Sequence, residues 1–372
     1  MKKIFFIGFL LLLIPIMISA KELTIMPGTV ITKNNYRGLL PEMKKLFTPA
    51  DFYMVTSGLE RGLITILIVE KKIYPPPKKF RKATLKNEGK FKVGTKNKLI
   101  GNWKSGLPFP YPETVTELAW NVYRRRGFAD QMSFYSDFLL FDKSGRLERT
   151  FKWHIYLRLW FGRALVPPIP EEKGNNGVIS SKESFAILSP FDVKGFSQIR
   201  IRYEDLETDD EVYSYIPAIR RIRRLTGADL TDPLIGSDAT ADDFQGWRQK
   251  INPRMTFKRG EGKFIHPCWF PEKPAKSPFR GNQLQVNWEI RDDYILEVTT
   301  NDPDYAYKKR LLYGDKERGT SAIFTAEGYD QKGRFWRSYR NLPAIETNTW
   351  ETNAGYGWIY IDHISGHSTI MT

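Results

Sequence analysis

From about Gln131 to the C-terminus, apolar and polar positions alternate in short runs separated by tight turns. Ile199, Ile201 and Tyr203 alternate with Gln198, Arg200 and Arg202. Val212 to Ile216 follows as the next strand after the acidic turn Glu204 to Glu211. A period of two predicts strands with one apolar and one polar face, here a meander whose apolar face carries the isoleucines. Phe141-Asp142-Lys143-Ser144-Gly145-Arg146 and Tyr329-Asp330-Gln331-Lys332-Gly333-Arg334 share one pattern, in which Asp bonds its own backbone and Gly supplies a positive φ. Both read as hairpin turns. Ile359 to Ile361 and Ser368 to Met371, joined through Gly366, read as a closing hairpin.

The first part of the chain has a different texture. Lys21 to Lys98 looks irregular, with Thr32 as a possible N-cap, a short helix starting at Pro41 and running to Phe47, and an apolar strand from Leu63 to Val69. Pro75-Pro76-Pro77-Lys78-Lys79 is expected to break regular structure. Leu107 to Pro112 must be extended, because a residue before proline is pushed out of the helical region. A helix is expected from Val115 to Arg126. Later helical signals are few: Asp238, Asp242 and Asp243 before Phe244 and Trp247 resemble a capped short helix or loop. The balance is α+β and β-dominated, a sheet buried on one face by a few helices.

Lys2 and Lys3, the apolar block Ile4 to Ile18 and the small pair Ser19-Ala20 have the order of a secretory signal peptide, with cleavage expected after Ala20 and a periplasmic destination. The block is 15 residues long, whereas a spanning helix takes about 20. The formal charge is +15, or +13 once Lys2 and Lys3 leave with the leader. Such an excess asks for an anionic neighbour. For an exported protein, an anionic membrane surface or an acidic partner fits better than nucleic acid. A generally basic, solvated surface is the plainer reading. One Cys excludes an intrachain disulfide, so the fold rests on its core. Aromatics at 14% are generous and supply either a large core or the lining of a cavity.

Candidate chemistry is sparse. His363 and His367 are four apart, but in strand and turn that spacing does not place them on one helical face for a metal. His266 and Cys268 flank Pro267 without an evident orienting group, so Cys268 reads as a partly buried thiol. Asp229, Asp232, Asp238, Asp242 and Asp243 are the densest carboxylates; they lack calcium-loop spacing, and Asp is a preferred cap and turn residue. Arg220, Arg221, Arg223 and Arg224 are the expected partners of Asp238, Asp242 and Asp243 in a structural or partner-binding network. No phosphate loop, dinucleotide fingerprint, metalloprotease helix or nucleophile elbow occurs. No catalytic, metal or cofactor residue is therefore assigned.

Ser189-Pro190-Phe191-Asp192, Arg202-Tyr203, Asp209-Asp210 with Val212, Tyr213, Tyr215 and Pro217, the arginine run, and Gly236-Ser237-Asp238 with Asp242-Asp243-Phe244 resemble a periplasmic family known as domain of unknown function 1329. Gly28-Thr29 with Ile31-Thr32, Leu107 to Pro110, Ala119-Trp120-Asn121, Lys309-Arg310 with Tyr313, and Tyr329-Asp330 with Gly333, Trp336 and Arg337 resemble its recurring pieces. The resemblance covers nearly the whole mature chain. It implies a LolA-like incomplete barrel: a strongly curved antiparallel sheet with helices as lid, whose concave side holds a greasy guest. The domain division it implies is a signal peptide at 1–20, an N-terminal wrapping segment at 21–115, and a half-barrel at 116–372 that binds a hydrophobic ligand. The implied function is a non-enzymatic carrier of a lipid or other hydrophobic compound, working beside an envelope transporter or outer-membrane protein. An export-complex adaptor without a ligand is the alternative, and an envelope lipid or glycan hydrolase a weaker one. Gly314 departs from the family pattern, which more often has an aliphatic residue there, and brings the regularity of the strand near Asp315 into question.

Overall fold

A computed structural model of the chain describes residues 24–73, 75–125, 130–225, 231–268, 279–280, 283–284, 286–317, 319–346 and 351–372. The leader 1–20 and Asp229 lie outside the described residues. The N-terminal part contains β1 (Val30–Ile31), α1 (Tyr36–Leu46), α2 (Pro49–Arg61), β2 (Ile66–Ile68), α3 (Lys78–Leu85), a small hairpin of β3 (Lys92–Val93) and β4 (Leu99–Ile100), and α4 (Val115–Tyr123). A first series of strands follows: β5 (Gln131–Phe141), β6 (Leu147–Leu159), β7 (Ile179–Ser189), β8 (Ser197–Tyr203), β9 (Glu211–Ile216) and β10 (Arg221–Leu225). After β11 (Met255–Pro267) and a short pair, β12 (Phe279–Arg280) and β13 (Gln283–Leu284), come β14 (Asn287–Thr300), β15 (Tyr307–Asp315), β16 (Ile323–Asp330), β17 (Phe335–Glu346), β18 (Glu351–Asp362) and β19 (Ser368–Met371).

Fifteen strands form one sheet in the order β1-β2-β14-β15-β16-β17-β18-β19-β5-β6-β7-β8-β9-β10, with β11 on the other flank of β14. The path has two ends, so the sheet is not closed. Its curvature follows from one loop. Arg248 pairs with Glu183 on β7, Arg310 on β15 pairs with Asp242, and the Arg248 N–H donates to Asp242 Oδ1 at 2.9 Å. In a flat sheet β7 and β15 would lie roughly 33 Å apart, at about 4.8 Å per strand. Side chains meeting at a single loop turn cannot bridge that gap, so the sheet curls around the loop.

The two faces carry separate cores. On the concave side Leu118, Trp120 and Val122 of α4, with Trp247 and Ile251, pack against Phe138, Trp153, Leu296, Tyr339 and Trp358. On the other side α1 and α2 contribute Leu39, Met43, Val55 and Leu59 against Ile265, Trp288, Leu342 and Ile359. Helix α4 starts where Thr114 and Glu117 form a reciprocal capping box, within the expected helix but ending three residues earlier than the sequence suggested.

Several sequence expectations need correction. The N-terminal part is less irregular than expected, because β1 and β2 extend the main sheet, β2 lying parallel to β14. Pro41 lies inside α1 instead of starting it. An interior proline costs about 3 kcal/mol, and burial of Tyr36, Leu39 and Met43 on one helical face offsets this. The Pro75–Pro77 run does not exclude regular structure: Pro77 is the N-cap of α3. The faces of β8 are inverted. Arg200 and Arg202 are each 7% exposed whereas Ile199 is 39% exposed, because the concave side at this end offers carboxylates to the arginines.

Helix α2 is tied to the sheet through a buried carboxyl. The Ala50 N–H donates to Glu327 Oε1 at 2.9 Å and Tyr329 Oη donates to Oε2 at 3.1 Å. Burial raises the Glu327 carboxyl from 4.5 to about 7. The folded protein therefore holds a proton that the unfolded chain releases near pH 4.5, and the stability due to this group falls as pH rises through the window between the two values. Relative to wild type, Glu327→Gln is expected to gain roughly 2–3 kcal/mol between pH 5 and pH 8. Urea unfolding at each pH reads this directly, and a pH-independent difference would contradict it.

Candidate functional site

Residues 231–252 cross the concave face and are fastened by side chains from several elements of the fold. Arg310 Nη1 lies 2.9 Å from Asp242 Oδ2 and Nη2 lies 2.8 Å from Asp243 Oδ1; Nη2 also donates to the Gly246 carbonyl at 2.9 Å. Tyr307 Oη donates to Asp243 Oδ2 at 2.8 Å, and Tyr305 Oη donates to Asp242. Further along, Asp238 accepts from Thr369 Oγ1 at 2.8 Å and lies 2.8 Å from His367 Nδ1. Arg248 pairs with Glu183 on β7, with Nη1 to Oε2 at 2.7 Å.

This arrangement splits the network expected from sequence. Asp238, Asp242 and Asp243 are bonded within the fold, and their charged and hydroxyl partners are His367, Thr369 and Arg310 in place of the arginine run. Arg220, Arg221, Arg223 and Arg224 lie exposed on the β9–β10 turn and on β10. Arg224 pairs with Glu211 at 3.0 Å; the other three have no ion-pair partner among the described residues. The β9–β10 pairing carries the arginines outward at the end of the sheet, whereas the aspartates face inward from the loop. Arg310, which bonds both Asp242 and Asp243, entered the sequence reading only within Lys309-Arg310, one of the recurring family pieces, with no link to the aspartates.

Two adjoining chambers lie under the loop. The first, of about 80 Å³, is apolar and lined by Phe138, Trp153, Ile155, Phe185, Ala241 and Phe244, among others. The second, of about 120 Å³, is lined by Trp103, Tyr123, Arg124, Arg125, Arg202 and Trp247, among others. Leu157, Glu183 and Arg248 border both. Burial opposes ionisation of Glu183, but Arg248 outweighs it and holds the carboxyl down at about 2. The hollow is thus smaller than an open groove: an engineered apolar cavity of about 150 Å³ accepts benzene. Tryptophans 103, 120, 153, 247 and 358 fill much of the concave side themselves.

The histidines and the thiol are engaged elsewhere. His266 lies buried between Asp293 at 2.8 Å and Arg340 at 2.7 Å. His363 meets Ser338 Oγ at 2.8 Å, and burial lowers it to about 4. His367 bonds Asp238 and Glu148, so the pair four residues apart shares no site. Burial pushes the Cys268 thiol up to about 12, far from a thiolate nucleophile at neutral pH. Among the described residues no group of His, Cys, Asp and Glu is placed to hold a metal. None of the described helices is long and apolar enough to cross a membrane.

The profile of a family described as proteins of unknown function, DUF1329, matches residues 66–372. The chain belongs to the DUF1329 family. Of the recurring DUF1329 pieces seen in the sequence, those at Gly28 to Thr32 lie before the matched residues. The structure is similar to a candidate outer membrane lipoprotein-sorting protein domain from Vibrio parahaemolyticus, with a TM-score of 0.47 and 19% identity over 69% of this chain and 88% of that one. It is similar to a DUF1329 family protein from Desulfovibrio piger, with a TM-score of 0.45 and 17% identity over 65% and 83%. It is also similar to a LolA superfamily protein from Nitrosomonas europaea, with a TM-score of 0.41 and 15% identity over 70% and 91%. No curated protein matches the chain.

Proposed function

We propose that this DUF1329 protein is a non-enzymatic carrier for a lipid or other hydrophobic compound in the bacterial periplasm, exported by a leader cleaved after Ala20. The observation that carries this reading is the apolar chamber between β6, β7 and the 231–252 loop, walled by Phe138, Trp153, Ile155, Phe185 and Phe244. Binding sites for greasy molecules are concave and mostly apolar. Each methylene transferred from water into such a site stabilises the complex by about 0.8 kcal/mol. At its present size the chamber accepts the end of a chain. The basic surface and the exposed arginines of β10 would serve contact with an anionic membrane, an envelope transporter or an outer-membrane protein.

The test uses the intact protein and an uncharged apolar fluorophore such as diphenylhexatriene. Wild type is expected to take up the probe, and Ala241→Trp, which fills the chamber from the loop, to bind at least ten times more weakly with an unchanged urea midpoint. Absence of uptake by wild type, together with no lipid extractable from protein purified from its own cells, would sink the carrier reading. The extent to which tryptophans fill the concave side favours the adaptor as second reading, and a stable protein partner retained by a probe-free protein would then be expected. The hydrolase reading loses its candidates, since Asp238, Asp242 and Asp243 are all engaged in fastening the loop.

A further inference from the structure

We infer that the second chamber is a headgroup site and that the guest is an amphiphile bearing a phosphate group; this rests on the carrier reading above and narrows it. The first argument is charge. Arg124, Arg125, Arg202 and Arg248 line the chamber and Arg200 and Lys250 stand behind them at Asp210, against the carboxylates Glu183, Glu204 and Asp210. Arg310 with Asp242 and Asp243 returns one negative charge from behind the loop. Two positive charges remain in excess. A phosphate monoester carries about −1.5 to −2 at pH 7.

The second argument is which groups are unmatched. Arg124 takes Glu204, Arg248 takes Glu183, and Arg202 and Lys250 share Asp210, each at 3.2 Å. Arg125 has no carboxylate partner among the described residues. Its guanidinium donates only to the carbonyls of Val122, Gln245 and Trp247, at 2.5, 2.6 and 2.8 Å. Burial lowers Arg125 and Arg200 to about 10, the response of cations held in low dielectric with too little counter-charge. Two further buried donors of lining residues, Arg124 Nε and Trp247 Nε1, have no acceptor among the described residues. A group presenting several acceptor oxygens and negative charge is what these donors lack.

The third argument is adjacency. Because Leu157, Glu183 and Arg248 border both chambers, a guest lying across that wall places its chain against Phe185 and Phe244 and its phosphate at Arg125 and Arg202. The aromatic rim, with the Arg124 guanidinium 4.0 Å over Trp103, suits the junction of a polar head and an apolar chain.

Isothermal titration of wild type with dodecyl phosphate, dodecanol and inorganic phosphate at physiological salt tests this. Dodecyl phosphate is expected to bind at least ten times more tightly than dodecanol, and inorganic phosphate at least a hundred times more weakly than dodecyl phosphate. Arg125→Gln and, independently, Arg202→Gln are expected to erase the preference for the phosphate, read within each variant as the ratio of dodecyl phosphate to dodecanol affinity; Arg125→Lys should keep part of it. Equal binding of dodecyl phosphate and dodecanol would overturn the headgroup site and leave the carrier standing. Binding of neither would fail the carrier reading and this inference with it. Inorganic phosphate matching dodecyl phosphate would assign a free-anion site and overturn the amphiphile.

Discussion

Arg310→Met is expected to destabilise the protein by about 3–5 kcal/mol, the cost of stranding buried carboxylates when one member of an ion cluster is removed. Asp242 and Asp243 are 0% and 4% exposed, so water cannot replace the guanidinium that lies between them. Their remaining partners, the side chains of Tyr305, Tyr307 and Thr240 and the Arg248 backbone N–H, are neutral donors that stabilise a carboxylate less than a cation does. Urea unfolding followed by tryptophan fluorescence measures the loss. A companion variant separates charge from packing: adding Asp242→Asn and Asp243→Asn to Arg310→Met should recover at least 1 kcal/mol, because the three positions then carry no buried charge. A loss below about 1 kcal/mol for Arg310→Met would mean that the loop is held by its apolar contacts instead.

Gly314→Ala is expected to cost about 3 kcal/mol, at the upper end for overpacking. A Cβ at this position would lie 2.2 Å from Cζ and Oη of Tyr294 and 2.5 Å from the Ala322 carbonyl oxygen. Tyr294 cannot step aside cheaply, since it is buried and its hydroxyl donates to the Ser321 carbonyl at 2.8 Å. In a Tyr294→Ala background the same glycine change should cost at least 1 kcal/mol less, the sign of two residues sharing one volume. Equal cost in both backgrounds, measured by denaturant unfolding, would place the strain at the backbone oxygen alone. Strand β15 keeps its course through Gly314 to Asp315, with a register shift between Tyr313 and Gly314. The space beside Gly314 is thus filled by a tyrosine reaching in from β14.

Local chemistry made the hairpins legible in the sequence. Asp142 Oδ1 accepts the N–H groups of Ser144 and Arg146, and Asp330 Oδ1 those of Lys332 and Arg334, all at 2.9 Å, while Gly145 and Gly333 take φ of 80° and 78°. Such turns need only six neighbouring residues, so the sequence displays them. Strand β8 shows the limit. Its alternation was visible, yet the buried face was misassigned, because hydropathy ranks isoleucine above arginine without regard to the carboxylate of Asp210, brought beside Arg200 and Arg202 by the fold. The candidate site was illegible for the same reason. Arg310 meets Asp242 and Asp243 from nearly seventy residues away, and Arg125 meets carbonyls of the loop from a still greater separation. Neither distance leaves a periodic trace.

The sheet stops at β10, whose outer backbone groups have no neighbouring strand among the described residues. Such a margin is a template on which a second molecule can add its own strand and begin a growing fibre. Arg221, Arg223 and Arg224 lie along this margin, with Arg220 at its turn. Two copies approaching rim to rim would bring like charges together on both sides of the seam, a repulsion that disfavours such pairing.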